Sequence, residues 1–525
     1  MRIIDDNVPW PEGVIVDVEK IYTVPFSEIN SSLNYKFREV ISKILFYLIH
    51  EGINLTRYKI IAYKLQRKIL AERKVIFAYG KIKDTNNYVI ALGPQDCPHA
   101  RYLAFNKKLA VSINESDSLS NKLELLLNYF EQNQNILREL FYYSPYSGKE
   151  LDIILSQILK DKVEEPSKVM RRDLTLTKSE RRGIGVSGGR TTKANGKKRN
   201  LFLAGAGSYA LSYILPTVKK VNYHTVIDLN LTLANLAAEK YKFQFADTST
   251  ERALQRLRDC KNPILIIATY HSTHLPIVEQ AIQSNPNTKI FVEKPPVTTE
   301  EHLKKLISYR ENPAHFIEIG YNRRYSPLII GAKKALDGKK SPITMTCIIK
   351  ELNIPLSHWY YWPSQGTRVV GNLSHWLDLG VFFIQKRPVS INVISASSKF
   401  AADEVSLAVK FEDNSLLTLI ASDRGNKIRG VQEYLDIRCE DLTIMIDDFL
   451  TMKVLDGGQK KVIRNIIRDK GHSQMYRSFI SRVEHEQKPA YPNNDLAIST
   501  RLYLSIKDLL LSGEKSINLG ELVEK

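Results

Sequence analysis

The sequence predicts an α/β protein organised around a doubly wound parallel sheet, and three observations lead there. In NLFLAGAGSYA (200–210) an apolar run leads directly into the spacing G-x-G-x-x-A. Beyond it, short apolar runs alternate with amphipathic stretches of helical period as far as residue 321, the pattern of successive β-α units. One of those runs, PILIIATY (263–270), begins apolar at every position rather than at alternate ones, as a strand covered on both faces must be.

Ahead of this unit, residues 1–160 read as an α+β domain without a recognisable motif. YKFREVISKILFYLIHEG (35–52) and NKLELLLNYFEQNQNILRELFYY (121–143) carry apolar residues at helical spacing. Between them KVIFAYGKI (74–82), NYVIALG (87–93) and ARYLAFNKKLAVSI (100–113) read as strands. Residues 161–198 are polar, basic and rich in Gly, Ser and Thr, the composition of a flexible linker. That linker holds a first match to G-x-G-x-x-G, GIGVSGG (183–189). A phosphate-binding loop needs a buried strand before its first glycine and a helix opening at its last. KSERR precedes this match and RTTKANGKK follows it, so it is read as flexible chain.

The second match has the required context. Asn200 to Ala204 form the strand, Gly205 makes the tight turn, and Gly207 clears the side chain where backbone must approach a pyrophosphate. Ser208 and Tyr209 complete the loop, and Ala210 allows close packing of helix on strand. YALSYILPTVKK (209–220) is expected to be the helix, with Pro216 its one awkward residue. The next strand, HTVIDLN, ends near Asp228. An acid about 20 residues past the glycines is placed to accept hydrogen bonds from a ribose 2′-hydroxyl. NAD is the expected cofactor, while Asn230 and nearby lysines leave room for the 2′-phosphate of NADP. The alternation then runs LTLANLAAEKY (helix), FQFAD (strand), STERALQRLRD (helix), PILIIATY (strand) and THLPIVEQAIQS (helix, started by Ser272 or Thr273). KIFVEKP (strand), TEEHLKKLISY (helix) and AHFIEIGYN (strand) complete a Rossmann-type domain over 199–321.

Bulk properties narrow the function class. The 43% hydrophobic and 25% charged residues are those of a globular protein. No apolar run reaches the roughly 20 residues a membrane helix needs, and MRIIDDNVPW lacks the apolar core of a secretory leader. No membrane association and a cytoplasmic location are therefore expected. The net charge of +18 is concentrated in part between Lys168 and Arg199. That stretch has no interleaved aromatics for base stacking, so a solvated linker is expected rather than a nucleic-acid arm. The cysteines Cys97, Cys260, Cys347 and Cys439 are scattered, and Cys97 with His99 lacks two further ligands. No metal is expected.

Three further segments, ATYHSTH (268–274), VEKPPVTTEE (292–301) and GYNRRYSP (320–327), follow GAGSYA in that order. Together they resemble the Gfo/Idh/MocA oxidoreductases, NAD(P)-dependent enzymes acting on sugars, cyclitols and nucleotide sugars. The Asn-Arg-Arg-Tyr-Ser-Pro segment looks most like the subfamily found with polysaccharide biosynthesis. The resemblance spans about 199–525. It implies that Lys294 lies beside the nicotinamide and stabilises developing alkoxide charge, with Glu293 and Pro295 shaping its turn. Thr269 and Tyr270 would pass under the cofactor, and His271 and His274 would serve helix-start packing or capping. It further implies that 322–525 is an α/β domain with an open, mainly antiparallel sheet whose outer face makes oligomer contacts, so a homo-oligomer (dimer or tetramer) is expected. MTCIIKEL, INVISASS, VSLAVKFED, SLLTLIAS, EYLDIRCE and LTIMIDD read as its strands, with turns at Asn414 and Asp441, and RLYLSIKDLLLSG as a C-terminal helix.

The family's D-x-x-x-H pattern falls on QGTRVVGNLSHWLDLGVFF (365–383). His375 matches the histidine, which relays a proton as hydride moves, and Asp378 matches a later acid. Gly371 stands where the aspartate is expected, and Asn372, next to it, is suited to orient a substrate hydroxyl. Arg323 and Arg324 are expected near the cleft, where arginine forks suit phosphate or carboxylate. The aromatic loop HWYYWPSQGTR (358–368) suits stacking on sugar rings or bases. The expected protein is a nicotinamide-dependent oxidoreductase of a sugar, cyclitol or nucleotide sugar, with a small, anionic substrate favoured by the charge. Its rival is a catalytically inactive NAD-binding regulatory protein that uses the linker and N-terminal domain to bind a partner.

Overall fold

A computed structural model describes residues 13–25, 37–71, 74–82, 85–93, 102–106, 110–118, 121, 122, 125, 128, 198–229, 231–352, 360, 365–396, 404–425 and 430–519. GIGVSGG, nearly all of the linker, Cys97, His99, Asn230 and most of the aromatic loop lie outside the described residues.

The N-terminal sheet consists of β1 (Gly13–Pro25), β2 (Lys74–Ile82), β3 (Tyr88–Gly93), β4 (Tyr102–Asn106) and β5 (Ala110–Ile113) in the order β4-β1-β2-β3-β5. Every pairing in it is antiparallel. β1 is a strand that sequence reading misses, and ARYLAFNKKLAVSI divides into two. Helix α1 (Phe37–Ala71) continues past the point where its sequence pattern breaks, and kinks at Gly52, whose φ is 77° and ψ 163°. Glycine is favoured there by the left-handed φ, and a Cβ would displace the Ile467 side chain, whose Cδ1 would stand 2.8 Å away.

The second sheet contains β6 (Asn200–Ala204), β7 (Asn222–Ile227), β8 (Phe245–Asp247), β9 (Pro263–Ile267), β10 (Lys289–Glu293) and β11 (Phe316–Gly320). All are parallel, in the order β11-β10-β9-β6-β7-β8. Strand order reverses between β6 and β9, so the crevice beyond their C-terminal ends is where an open α/β sheet takes its ligand. Helices α2 (Leu231–Tyr241), α3 (Thr250–Gln255), α4 (His274–Ser284) and α5 (Glu300–Glu311) make the crossovers. Alternate residues serve two cores: Leu201, Leu203, Ile264 and Ile266 face one, and Phe202, Ala204, Leu265 and Ile267 the other. This is why these strands read as unbroken apolar runs.

The third sheet is nine-stranded: β12 (Thr344–Lys350), β13 (Pro388–Ser395), β14 (Glu404–Phe411), β15 (Leu416–Ser422), β16 (Gln432–Cys439), β17 (Leu442–Asp447), β18 (Thr451–Asp456), β19 (Gln459–Arg464) and β20 (Ser516–Asn518). Its order is β19-β18-β17-β16-β12-β15-β14-β13-β20. Only β12 and β15 pair in parallel. The β18–β19 hairpin is absent from the sequence reading because β19 is exposed along nearly its whole length and carries no apolar alternation. Helices α6 (Pro327–Leu336), α7 (Ser374–Ile384), α8 (His472–Glu484) and α9 (Asn493–Ser512) complete the chain. α7 and α9 share the core of the nine-stranded sheet. α8 instead packs Met475, Tyr476, Phe479 and Val483 onto the parallel sheet beside Phe291 and Phe316.

Candidate active site

The glycine loop leaves β6 at the switch point. Gly205 has φ 94°, and a Cβ there would stand 2.2 Å from the Ala268 carbonyl oxygen at the end of β9. Its N–H donates to Ile227 O at 2.7 Å. A Cβ at Gly207 would meet nothing within 4 Å. The first glycine is therefore fixed by protein packing, whereas the second faces open space of the kind a bound pyrophosphate would fill. Asp228, just past β7, reaches the loop and accepts from Ala206 N at 2.8 Å. Ser208 is exposed and Ala210 is buried. The helix that follows is shorter and wider than expected. Ala210–Ile214 is a π-helix, closed by Leu215 N donating to Ala210 O at 3.0 Å. Pro216 gives the physical reason, since it has no N–H to continue the ladder and its ring crowds the carbonyl four residues back.

Thr269 and Tyr270 continue from β9 alongside this loop. The side chains of Ser272 and Thr273 do not cap α4, contrary to expectation. Thr273 turns its hydroxyl to Tyr270 O at 2.7 Å, and Ser272 Oγ accepts from Gln365 Nε2 at 2.7 Å. His274 is buried between the carbonyls of Pro295 and Thr269, with ring nitrogens at 2.8 and 3.3 Å from them. Burial pushes its pKa down to about 4, so it holds the turn as a neutral ring. His271 Nδ1 lies 3.2 Å from Gln365 O.

Glu293 ends β10 with a buried carboxyl that accepts from Tyr476 and, at 3.3 Å, from Tyr209. Burial raises its pKa to about 7. Lys294 follows, and its ammonium donates to the Gly371 carbonyl at 2.6 Å. Burial lowers its pKa to about 8, with Arg323 adding to the depression and Glu293 and Glu351 opposing it. A lysine in that range can hold or release a proton near neutrality.

His375 opens α7. It is buried, and its pKa is held well below 6.5 by burial and by the charges of Arg323 and Lys294. Its Nδ1 has no hydrogen-bond partner among the described residues, and neither does the hydroxyl of buried Tyr321. The two rings meet edge to face at 6.2 Å. Gln474 Oε1 and Thr500 Oγ1 are the other such buried atoms among the described residues, and His375 is the one that stands beside Lys294 and Arg323.

Arg323 and Arg324 are used differently from the expectation that their forks face substrate. Arg323 forms a bidentate pair with Glu433, at 2.6 and 2.8 Å. Glu433 also accepts from Trp376 Nε1 at 2.8 Å and from Lys470. Arg324 is bidentate to Asp378, at 2.8 and 2.6 Å, and reaches Asp495 at 2.6 Å. Both guanidinium groups are buried, and a buried cation needs an internal anion. Asp378 is thereby taken up by Arg324.

Gly371 also has a structural reason. A Cβ there would stand 2.9 Å from Tyr360 Cε2 and 3.1 Å from His271 Cε1. The ring of Tyr360 fills the room an aspartate would need. Asn372 lies within a π-helix, Val369–Leu373, a local widening that recurs at functional sites. Its side chain is bonded to Tyr360 and to Glu351. Glu351, Tyr360, Arg368, Lys470 and Tyr476 are site residues that sequence reading does not single out. Tyr360 and Arg368 lie in the aromatic loop it does quote, but nothing in one dimension tells which ring or cation turns inward. Among the described residues no group of His, Cys, Asp and Glu is placed to hold a metal ion, and no helix is long and apolar enough to cross a membrane.

No family model matches the chain. A stretch of 154 residues is 27% identical to "Putative oxidoreductase YteT" of Bacillus subtilis, covering 28% of this chain and 36% of that protein. The chain spans about a third of the length of the curated relatives it matches. The crystal structure of aldose-aldose oxidoreductase from Caulobacter crescentus superposes with a TM-score of 0.53 at 16% identity, covering 61% of this chain and all of that one (100%). Levoglucosan dehydrogenase, solved in complex with NADH, gives 0.51 at 14% identity, over 61% of this chain and 99% of that one. At such identities the likeness is one of fold, and the fold is that of the Gfo/Idh/MocA-type dehydrogenases.

Proposed function

We propose that this protein is a nicotinamide-dependent oxidoreductase acting on a hydroxyl-bearing carbon of a sugar or sugar-like molecule. The observation that carries the reading is one convergence. An open glycine loop stands at the switch point of the parallel sheet, and the next strand but one ends just before Lys294, whose pKa is lowered and whose charge acts on His375, a buried histidine with an unpartnered Nδ1. The residues fit the cofactor: Gly205 to Ala210 would cradle the pyrophosphate, Asp228 would take the ribose hydroxyls after releasing Ala206, and Thr269, Tyr270 and Glu293 would line the nicotinamide side. When bound, the nicotinamide supplies or accepts the hydride.

The chain's own residues manage the proton and the charge. His375 takes the hydroxyl proton through its unpartnered Nδ1 and returns it in the reverse direction. Lys294 donates to the substrate oxygen and stabilises negative charge developing there. Asn372 offers an amide beside them. Dehydrogenases of this fold named for aldose, inositol and levoglucosan agree with a sugar or cyclitol substrate.

A non-catalytic NAD-binding role is favoured by one observation, the occupation of the expected aspartate site by Tyr360. The experiment that separates the two is a fluorescence titration with NADH and NADPH, followed by a screen of sugars, cyclitols and nucleotide sugars for reduction of NAD. Turnover that Lys294→Ala abolishes while NADH still binds supports the enzyme. NADH binding without turnover across the screen supports the rival, and no binding of either nucleotide rejects both.

A further inference from the structure

The Gly371 segment belongs to a buried run of hydrogen bonds that ends on a carboxylate. Tyr360 donates from its hydroxyl to Asn372 Oδ1 at 3.1 Å. Asn372 Nδ2 donates in turn to Glu351 Oε2 at 3.1 Å. The same oxygen receives Arg368 Nη1 at 3.2 Å, and Leu352 N lies 3.3 Å from it. Glu351 and Arg368 are 1% and 0% exposed. Burial raises the Glu351 pKa above the usual carboxylate value, and the facing Arg368 guanidinium, with Arg323, opposes that rise and favours the charged form.

Both ends of the Asn372 side-chain amide are therefore bonded. The peptide unit joining Gly371 to Asn372 lies in the π-helix Val369–Leu373, and the bonded side chain adds a restraint on it. The carbonyl of that unit is the one that receives the Lys294 ammonium. Lys294 thus stands at one end of the run, and Glu351, just past β12, at the other.

We propose that Glu351 is the positioning acid of this site: through Asn372 it fixes the Gly371 carbonyl that holds Lys294, and it supplies the negative charge that residue 371 lacks. The inference rests on the dehydrogenase reading only in giving Lys294 a role in chemistry. In this arrangement the acid stands just past a sheet strand and not one helical turn before His375. Tyr360 occupies the volume an acid at 371 would need and ties the arrangement together. The charged and titratable groups around Lys294 are Glu293 on its own strand, Arg323 from the segment after β11, Glu351, and the rings of His274 and His375. Of these, Glu293 and Glu351 favour its protonated form.

The test is a titration that needs no substrate. The full-length protein is lightly labelled by reductive methylation with carbon-13 formaldehyde, and the Lys294 methyl signal, identified by its loss in Lys294→Arg, is followed against pH by NMR. Glu351→Gln is expected to lower the midpoint by about half a unit or more, because a favourable negative charge is removed. Asn372→Ala leaves the Glu351–Arg368 pair intact and is expected to lower the midpoint as well, by freeing the carbonyl that holds the ammonium. An unmoved midpoint in either folded variant overturns the proposal, and Asn372→Ala decides alone if Glu351→Gln does not fold. NADH binding measured on the same samples keeps a failure here distinct from a failure of the dehydrogenase reading.

Discussion

Arg468 joins Glu51 to the nine-stranded sheet. Its guanidinium donates to Glu51 on the N-terminal helix and, at 3.0 Å, to both oxygens of Asp448. Its own N–H donates to the His50 carbonyl. Glu51 also takes Lys59, whose ammonium lies 4.2 Å from the Tyr47 ring and 5.8 Å from that of Tyr213. Tyr213 belongs to the π-helix after the glycine loop and stacks on His472 at 4.2 Å. The N-terminal helix thus contacts both the π-helix after the glycine loop and the segment that follows β19 of the nine-stranded sheet.

Arg468→Ala leaves two buried carboxylates without their shared cation. A loss of about 3 kcal/mol or more is expected, read as a lower urea midpoint of the full-length protein. Asp436→Ala, which removes the partner of an exposed Arg438 pair, is expected to cost less than about 1 kcal/mol. Equal losses for the two would show that the Arg468 network does not hold the N-terminal helix.

Gly205 and Gly207 are expected to fail in different ways. Gly205→Ala puts a Cβ against Ala268 O at a left-handed φ, so its thermal midpoint falls. Gly207→Asp has room to fold and keeps a midpoint near wild type, but sets a carboxylate where a pyrophosphate would lie. Its NADH affinity is expected to fall by at least about tenfold, or 1.4 kcal/mol. Gly185→Asp, in the other glycine motif, leaves NADH binding unchanged.

Restoring the family pattern by Gly371→Asp is expected to harm the protein. The new side chain collides with Tyr360 and His271, and overpacking of this kind costs about 1–3 kcal/mol. Differential scanning calorimetry checks it. The double variant Gly371→Asp with Tyr360→Ala, which clears the volume, recovers part of the loss. A single variant as stable as wild type would mean that Tyr360 does not reserve this space.

Stability is expected to fall as pH drops from 6.5 toward 4. Burial holds His224 and His274 at about 4, and His375 and His472 well below 6.5. In this window the unfolded chain binds protons that the folded protein does not, so acid favours unfolding. Glu293, raised to about 7, opposes this, as do Glu351, Asp378 and Asp448, which burial also raises. The four imidazoles act together with Glu51, Asp247 and Glu433, whose cationic partners hold them low, and are expected to prevail. At pH 5 a fully buried neutral imidazole costs about 2 kcal/mol. Urea midpoints at pH 7 and 5 measure the slope, and His274→Gln is expected to flatten it. A slope of opposite sign would place Glu293 and the other raised carboxyls in control.

The sequence by itself determined the parallel sheet and its glycine loop, because each rests on local pattern, whereas Lys294, just past β10, stood out only through the family resemblance. A strand covered on both faces must be apolar throughout, and a loop that turns at φ 94° against Ala268 must be glycine. His375 was singled out only through the family resemblance, as the residue that matches the histidine of its D-x-x-x-H pattern. Tertiary structure decided which charges are free and which are already paired. Arg323 and Arg324 read as substrate forks until Glu433 and Asp378, 110 and 54 residues away, are seen to hold them. Glu351 and Tyr360 read as ordinary members of a strand end and an aromatic loop until the fold lays them against Gly371 and Asn372. The energy of a buried charge or of an occupied volume depends on its neighbours in space, and those neighbours are set only when the three sheets pack.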